Sequence, residues 1–218
     1  MTAIHISPEV RSVRELHPYL ADSEFRARPI REQIAAQADT LHAAFQARDE
    51  RVAMHVLSWS PKARGATRET MFALDLTPLD ALETMSREYG FSGAEALDAL
   101  GDLRLDEGFE AALDHMLFGE IDELEADLER TPGLAAARSR FGHRATLLHY
   151  LGANGVESHR QITPGNAPDL AALLISRGAS KSAEAEMYGG GQTARMLAAT
   201  SAHPRRAGIA EELGLALS

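Results

Sequence analysis

The feature that most constrains the fold is a succession of short helical segments, each ended by glycine or proline. Apolar residues recur at steps of three and four, as at Ile34, Ala38 and Leu41, which is the spacing of one face of an α-helix. The chain contains no alternating apolar and polar run long enough to predict a sheet strand. The apolar spacing and the end signals predict helices over 34–45, 52–56, 79–89 after Thr77-Pro78, 109–117 before Gly119 and 121–128 before Thr131-Pro132-Gly133, and near 146–153, 167–177, 192–200 and 206–216.

These helices are short and come in pairs. The connectors between successive pairs, such as 132–143 and 178–191, are rich in Gly, Ala, Ser and Pro. Short helix pairs joined by turn-rich connectors are typical of a helical solenoid. A compact bundle is the alternative, and it would need longer helices. The sequence therefore predicts an all-α protein of solenoid type.

The net charge of −10 is concentrated in one segment. Residues 102–130 hold eleven acidic residues against two arginines, a net of −9, whereas residues 138–160 are locally basic. A nucleic-acid-binding protein is expected to carry a basic surface, so the charge argues against that class.

Composition also bounds the cellular setting. There is no cysteine, so disulfides, thiolate metal sites and thiol nucleophiles are excluded, and a reducing cytoplasm is expected. The first twenty residues lack the apolar core of a secretory signal, and no stretch approaches the roughly 18 apolar residues of a membrane span. We expect a soluble cytoplasmic protein that does not bind a membrane.

Two stretches resemble the ankyrin repeat. The run Thr146-Leu147-Leu148-His149 is similar to its T-P-L-H signature, and LLISRGAS, residues 173–180, is similar to the end of the same unit, with Gly178 at the turn. In that family the threonine caps the inner helix, and the histidine bonds to it and to backbone, tying neighbouring loops together. The resemblance therefore implies a structural role for Thr146, His149 and Gly178.

The resemblance extends over about residues 106–216. An outer helix and its connecting hairpin are resembled by the segment that begins at Gly119, GEIDELEADLERTPGLAAARS. A divergent terminal repeat is resembled by the segment that begins at Gly189, GGGQTARMLAATSAHPRRAGIAEEL. Segments 37–57 and 76–97 resemble the helical leader of some bacterial ankyrin proteins. We thus expect a helical leader or cap over 1–105, with one short helix and extended chain in 1–32, and ankyrin-like repeats over 106–218.

An insertion interrupts the repeat that begins at Thr146. Thr146 and Gly178 are 32 residues apart. In a standard ankyrin repeat, which has about 33 residues, the corresponding threonine and glycine are about 21 residues apart. The extra residues fall in GVESHRQITPGNA, the inserted loop 155–167. This loop is polar, and an extended loop on a stiff scaffold is a common location for function.

The motifs for chemistry are weak. No two histidines of the repeat region have the i, i+4 spacing of a helical metal site. The run Gly189-Gly190-Gly191-Gln192-Thr193-Ala194 matches the spacing of a dinucleotide-binding fingerprint, but the buried strand that should precede such a fingerprint is missing from the sequence. No G-x-S-x-G or P-loop motif is present. The sequence predicts no catalytic residue, no metal and no cofactor.

The resemblance implies a non-catalytic protein of a bacterial-type cytoplasm that recognises another protein or a peptide. An acidic partner would suit the basic patch. An alternative is a pocket, formed by the loop 155–167 against His149 and Tyr188, that binds a small anionic ligand or acts on it by acid–base chemistry. His149→Ala is expected to lower stability, and Arg160→Ala to weaken binding while leaving stability unchanged. The candidate binding residues, on the concave surface and the inserted loop, are Arg140, His143, Arg144, Tyr150, Glu157, His159, Arg160, Gln161, Tyr188 and His203.

Overall fold

The computed structural model of this protein describes residues 2–218. The chain is mostly helical, with 59% of residues in helices and 4% in strands, which confirms the all-α class. In the part of the chain that the structure describes, no helix is both long enough and apolar enough to cross a bilayer.

The chain folds as two compact units, each described by itself below. The N-terminal unit comprises residues 8–105, and the C-terminal unit comprises residues 106–218 together with residues 2–7. The sequence predicts residues 1–7 as part of the leader. In the structure, residues 2–7 belong instead to the C-terminal unit, to which Ile4–His5 contributes a strand. A two-residue strand is too short to leave an alternating pattern in the sequence.

The N-terminal unit is built around its longest helix, which packs against the last helix of the unit and buries Ile34, Leu41 and Met85 between them. Apolar burial of this kind is the main force that stabilises the unit. Its helices are α1 (Pro8–Leu16), α2 (Ser23–Arg26), α3 (Ile30–Gln46), α4 (Ala53–Trp59) and α5 (Pro78–Glu88), with 3-10 turns at Pro18–Ala21, Glu50–Val52, Pro61–Ala63, Met71–Ala73 and Ala94–Leu100.

Prolines and a threonine set the helix starts in this unit. Pro8 and Pro18 each open a helical segment, because proline has the backbone angle of a first turn and lacks the N–H that a first turn leaves unpaired. Residues 8–26 therefore form three short helical pieces where the sequence predicted one. Thr77 and Asp80 form a reciprocal capping box at the start of α5, with the Asp80 N–H 3.2 Å from Thr77 Oγ1 and the Thr77 N–H 2.8 Å from Asp80 Oδ2.

The C-terminal unit consists of short helices connected by turns and two small sheets. Its apolar helix faces bury residues such as Phe109, Leu113 and Leu148. Its elements are α6 (Glu107–Leu117), α7 (Ile121–Arg130), α8 (Leu147–Tyr150), α9 (Ala167–Ser176), α10 (Ala194–Thr200), α11 (Ala202–Arg206) and α12 (Ala210–Ala216), with 3-10 turns at Leu134–Ala136 and Ser158–Arg160 and strands β1 (Ile4–His5), β2 (Thr163–Pro164), β3 (Glu184–Ala185) and β4 (Gln192–Thr193).

Two helices of this unit differ from the prediction. Helix α8 has only four residues, where the sequence predicted a helix near 146–153, and Ala153 just after it adopts a positive φ of 45°. The predicted helix near 206–216 is divided into α11 and α12 by Gly208, whose φ is 77°. Positive φ is incompatible with a continuing right-handed helix, so each of these residues ends one.

The strands form two antiparallel pairs. Strand β1 pairs with β2 in the register Ile4 to Pro164 and His5 to Thr163, and β3 pairs with β4 to make a hairpin. The first pair attaches residues 2–7 to the inserted loop. The second carries the glycines 189–191 in its connecting turn.

Candidate functional site

His149 lies inside the C-terminal unit, where it joins three segments of backbone. Its Nδ1 accepts a hydrogen bond from the Thr146 N–H at 3.1 Å and lies 2.8 Å from Thr146 Oγ1. Its Nε2 lies 3.0 Å from the Ala183 carbonyl oxygen and 3.1 Å from that of Gln192. Because Nδ1 accepts from a backbone N–H, the ring proton is on Nε2, which donates to the two carbonyls. The neutral ring therefore connects the start of α8 to both sides of the β3–β4 hairpin.

Burial keeps this ring neutral. His149 is 1% exposed, and loss of hydration lowers its pKa to about 4, although the carbonyls of Ala183 and Gln192 act in the opposite direction. Both ring nitrogens are bonded inside the unit, so the ring has no nitrogen left for a substrate.

The inserted loop 155–167 is an internal element, which differs from the expected exposed binding loop. Glu157 is fully buried, and Arg160 and Gln161 are 6% and 7% exposed. Gln161 donates from Nε2 to the Val156 carbonyl oxygen at 2.8 Å, so the loop satisfies its own backbone. Several polar side chains of this loop therefore lie inside the unit.

A buried charged cluster holds the loop in place. We call it the Arg160 cluster: Arg160, Glu110, Glu157, Tyr150 and His143. The Arg160 guanidinium donates to Glu110 on α6 and lies 3.6 Å from Glu157 Oε1 through its other terminal nitrogen. Glu157 Oε1 also accepts from the Tyr150 hydroxyl at 3.1 Å and lies 3.6 Å from His143 Nε2. The loop, α6, α8 and the turn before α8 therefore meet at one set of ionisable groups.

In this cluster, burial and neighbouring charges shift the pKa values of Glu157 and Arg160 in opposite directions. Burial alone would raise the pKa of Glu157, but His143 and Arg160 outweigh it and hold the pKa at about 2. Burial likewise acts to lower the pKa of Arg160, and Glu110 and Glu157 keep it well above its usual value. Burial and the Glu157 charge raise the pKa of Tyr150. These groups are fixed as an ion pair with a neutral phenol, which is a structural arrangement.

Helix α8 is buried within the C-terminal unit. All four residues of α8, Leu147–Tyr150, are at most 1% exposed. The tyrosine that ends α8 packs edge-on against Phe109 at 6.3 Å between ring centroids and bonds to the inserted loop. An inner helix covered in this way cannot contact a partner.

The ten predicted binding residues therefore separate by exposure. A surface role does not fit the buried ones, because their polar atoms are directed at one another. Buried are His143, Tyr150, Glu157, Arg160 and Gln161; half-buried are Arg140, His159 and His203; exposed are Arg144 and Tyr188.

Two neighbouring turns carry the exposed residues. The first, residues 138–146, is closed by a hydrogen bond from the Ser139 N–H to the Ala145 carbonyl oxygen at 2.7 Å, and the second is the β3–β4 hairpin. They are joined by a 2.8 Å hydrogen bond from the Glu186 N–H to the His143 carbonyl oxygen. Arg138 strengthens the junction, because its Nη1 donates at 2.7 Å to a carbonyl oxygen of each turn. The two turns thus form one continuous edge.

Tyr188 stands out from the second turn. It is 63% exposed, and its φ of 51° lies in the left-handed region that costs free energy for any residue except glycine. Its hydroxyl donates to Asn154 Oδ1 at 2.7 Å, and Asn154 in turn donates to Thr200 Oγ1 at 2.9 Å. Met196, which is 47% exposed, lies one helical turn before Thr200. The Thr200 hydroxyl donates to the Met196 carbonyl oxygen at 3.0 Å. We call Tyr188, the glycines 189–191, Asn154, Thr200 and Met196 the Tyr188 surface.

The N-terminal unit contains a buried hydrogen-bonded chain that sequence reasoning missed. His55 Nδ1 is bonded to the Glu88 carboxylate, His55 Nε2 lies 3.2 Å from His17 Nε2, and His17 Nδ1 lies 2.9 Å from the Tyr19 hydroxyl. His17 and His55 are 38 residues apart, so no motif spacing could have revealed the chain. Each of His17, His55 and Glu88 is 1% exposed, so the chain orders the interior of the unit.

An open pocket of about 400 Å³ also lies on the N-terminal unit, at the start of α5. Two of its lining carboxylates have partners: Asp80 Oδ2 is 2.7 Å from Lys62 Nζ, and Glu83 accepts from Arg87 Nε at 2.6 Å and from the Ala94 N–H at 2.8 Å. These contacts are surface ion pairs and a backbone hydrogen bond.

Within residues 2–218, no group of three or more His, Asp or Glu side chains is placed to hold a metal ion. No known protein family, curated protein or solved structure matches this chain.

Proposed function

We propose that this protein is a non-catalytic recognition scaffold of the bacterial cytoplasm, whose C-terminal unit is a set of ankyrin-like repeats that binds a protein or peptide. The internal contacts of His149 support the repeat assignment, because its ring connects Thr146 to the following hairpin as the family resemblance implies. In this proposal the partner contacts the turns rather than a concave helical face. The burial of α8 supports that choice.

The observation that carries the proposal is the conformation of Tyr188. An aromatic residue held at positive φ on the surface contributes little to the core and costs backbone free energy, and such strain is concentrated at functional sites. Tyrosine is also among the residues that contribute most to interfaces, and an exposed methionine beside it, Met196, adds an adaptable apolar contact.

Charge is balanced near this surface. Exposed Arg144 and Arg195 are accompanied by exposed Glu184 and Glu186. An acidic partner would gain from the two arginines, but we expect aromatic and apolar contact to dominate the affinity.

The alternative, a pocket for a small anionic ligand, has less support. It requires the loop 155–167 to fold against His149 and Tyr188 with groups available for acid–base chemistry. Both nitrogens of His149 are used internally, and Glu157 is buried against Arg160. General acid–base catalysis needs a group within reach of substrate.

The test is photo-crosslinking from the proposed surface. A photoreactive phenylalanine analogue replaces Tyr188 in one variant and Leu215, which is 69% exposed on α12, in a matched control. We expect one partner to be captured from position 188 and not from 215, and Tyr188→Ala to weaken its binding by about tenfold or more without changing the melting temperature. Equal capture from both positions, or unchanged affinity in Tyr188→Ala, would refute the proposal.

A further inference from the structure

The first residues of the chain dock on the inserted loop as an added strand. Residues 2–7 belong with the C-terminal unit, although the chain enters the N-terminal unit at Pro8 immediately afterwards. Ile4 lies opposite Pro164 and His5 opposite Thr163, and the Gly165 N–H donates to the Ala3 carbonyl oxygen at 2.7 Å. We call residues 2–7 the arm and residues 163–165 the edge. The arm is therefore an extended peptide bound by backbone pairing, a recurring mode of peptide recognition.

Glycines shape the edge to receive a peptide. A Cβ on Gly165 would lie 3.1 Å from the Ala3 carbonyl oxygen and 3.6 Å from Thr2 Cγ2. A Cβ on Gly119 would lie 3.3 Å from Thr2 Cβ. Absence of side chains at both positions lets the backbone of the arm approach closely. The contacts with the Thr2 side chain require a small residue at that position of any peptide bound here.

The arm fits this edge incompletely. Thr163 Oγ1 and His5 Nε2 are buried and have no hydrogen-bond partner, although the two residues face each other in the register. A buried polar atom without a partner costs free energy that a better-matched side chain would recover. Ile4, the neighbour of His5 in the arm, is 37% exposed. An occupant of this kind is displaceable.

We propose that the edge 163–165 is a binding site for an extended peptide in trans, and that the arm occupies it as an internal competitor. The peptide carries a small residue at the position of Thr2 and a short hydroxyl or amide side chain at the position of His5. That last side chain pairs with Thr163 Oγ1 across the strands. The site shares no residue with the Tyr188 surface and does not depend on the function proposed for it.

The test uses a fluorescent peptide of the arm's own sequence, TAIHIS, and the full-length protein. In the native chain the tethered arm competes at an effective concentration of about a millimolar. His5→Pro removes a backbone N–H from the pairing and should release the arm. We expect the labelled peptide to bind His5→Pro about tenfold or more tightly than the native chain, measured by fluorescence anisotropy. A chain lacking residues 2–6 should behave in the same way, and melting curves establish that both variants are folded.

Two further measurements make the proposal specific. A peptide with threonine at the place of His5 should bind the released chain about threefold or more tightly than TAIHIS, because one neutral hydrogen bond is worth about that factor or more. Adding Gly165→Val to the released chain should abolish binding, since its side chain would occupy the space of the peptide backbone.

The opposite results are clear-cut. Equal binding to the native and released chains, equal binding of a scrambled peptide, or binding that survives Gly165→Val would overturn the proposal. A native dimer that dissociates in His5→Pro would also overturn it, in favour of exchange of the arm between two copies.

Discussion

At the scale of single residues, the histidines show how one side chain type takes its role from its neighbours. His149 accepts a backbone hydrogen bond at Nδ1 and donates from Nε2, and the Nδ1 of His143 likewise accepts from the Ala145 N–H at 3.1 Å, with its Nε2 lying 3.6 Å from Glu157 Oε1. Each ring is fixed by the hydrogen bond that its other nitrogen makes. In both cases the imidazole organises the fold.

His149 should make stability depend on pH. Its folded pKa of about 4 lies below the ordinary 6.5, so between these values the unfolded chain binds more protons. The free energy of unfolding should therefore fall as pH is lowered from 6.5 to 4, by up to about 3 kcal/mol from this residue. Urea unfolding at several pH values measures it.

The matched variant is His149→Gln, which should be less stable than the native chain at pH 7 and should lose this part of the pH dependence. His42→Gln, a half-buried histidine of the N-terminal unit, should keep it. A His149→Gln profile parallel to that of the native chain would show that the ring is not held neutral by burial.

Arg160 provides a correction to the sequence-based expectation that Arg160→Ala leaves stability unchanged. Removing a buried guanidinium leaves Glu110 and Glu157 without their main counter-charge. We expect the free energy of unfolding to fall by about 3–5 kcal/mol, measured by urea denaturation.

Arg177→Ala serves as the control, because Arg177 also pairs with two carboxylates, Glu125 and Glu129, but at the surface. It should cost no more than about 1 kcal/mol. Similar losses for both variants would mean that burial does not distinguish them.

At the scale of elements, the sequence predicted what depends on local spacing. The helix faces and the cap at Thr77 involve residues three or four apart, whereas the association of Thr146 with His149 was implied by the resemblance to the ankyrin repeat. The burial of the inserted loop was not predicted, because its buried arginine pairs with an acid that is distant in sequence: Arg160 and Glu110 are 50 residues apart. The chain from Tyr19 to Glu88 and the pairing of the arm were missed for the same reason. Composition alone cannot distinguish a solvated arginine from one that is buried and paired.

Close packing between α8 and α10 depends on Gly152. A Cβ there would lie 2.8 Å from Leu197 Cβ and 3.1 Å from the backbone nitrogen of Ala198. Gly152→Ala should therefore destabilise the protein by about 1–3 kcal/mol, measured by thermal or urea unfolding. Gly214→Ala in α12, where an added Cβ meets nothing within 4 Å, should instead be neutral or stabilising by up to about 1 kcal/mol. The reverse order would contradict the packing described here.

At the scale of the whole molecule, two compact units share one chain, and the proposed recognition surface lies in the C-terminal one. Its inserted loop is part of its interior, and its exposed turns carry the proposed recognition surface. This division between an internal loop and an external hairpin is the central claim.

Hydrogen–deuterium exchange of the native protein tests that claim most directly. The amides of Arg160 and Ile162 are bonded to backbone carbonyls at 2.9 and 2.7 Å inside the buried loop, whereas residues 188–191 form the tip of an exposed turn. We predict that residues 156–163 exchange as slowly as helix α9, and that residues 188–191 exchange much faster. Exchange of 156–163 at the rate of the hairpin tip would contradict the account.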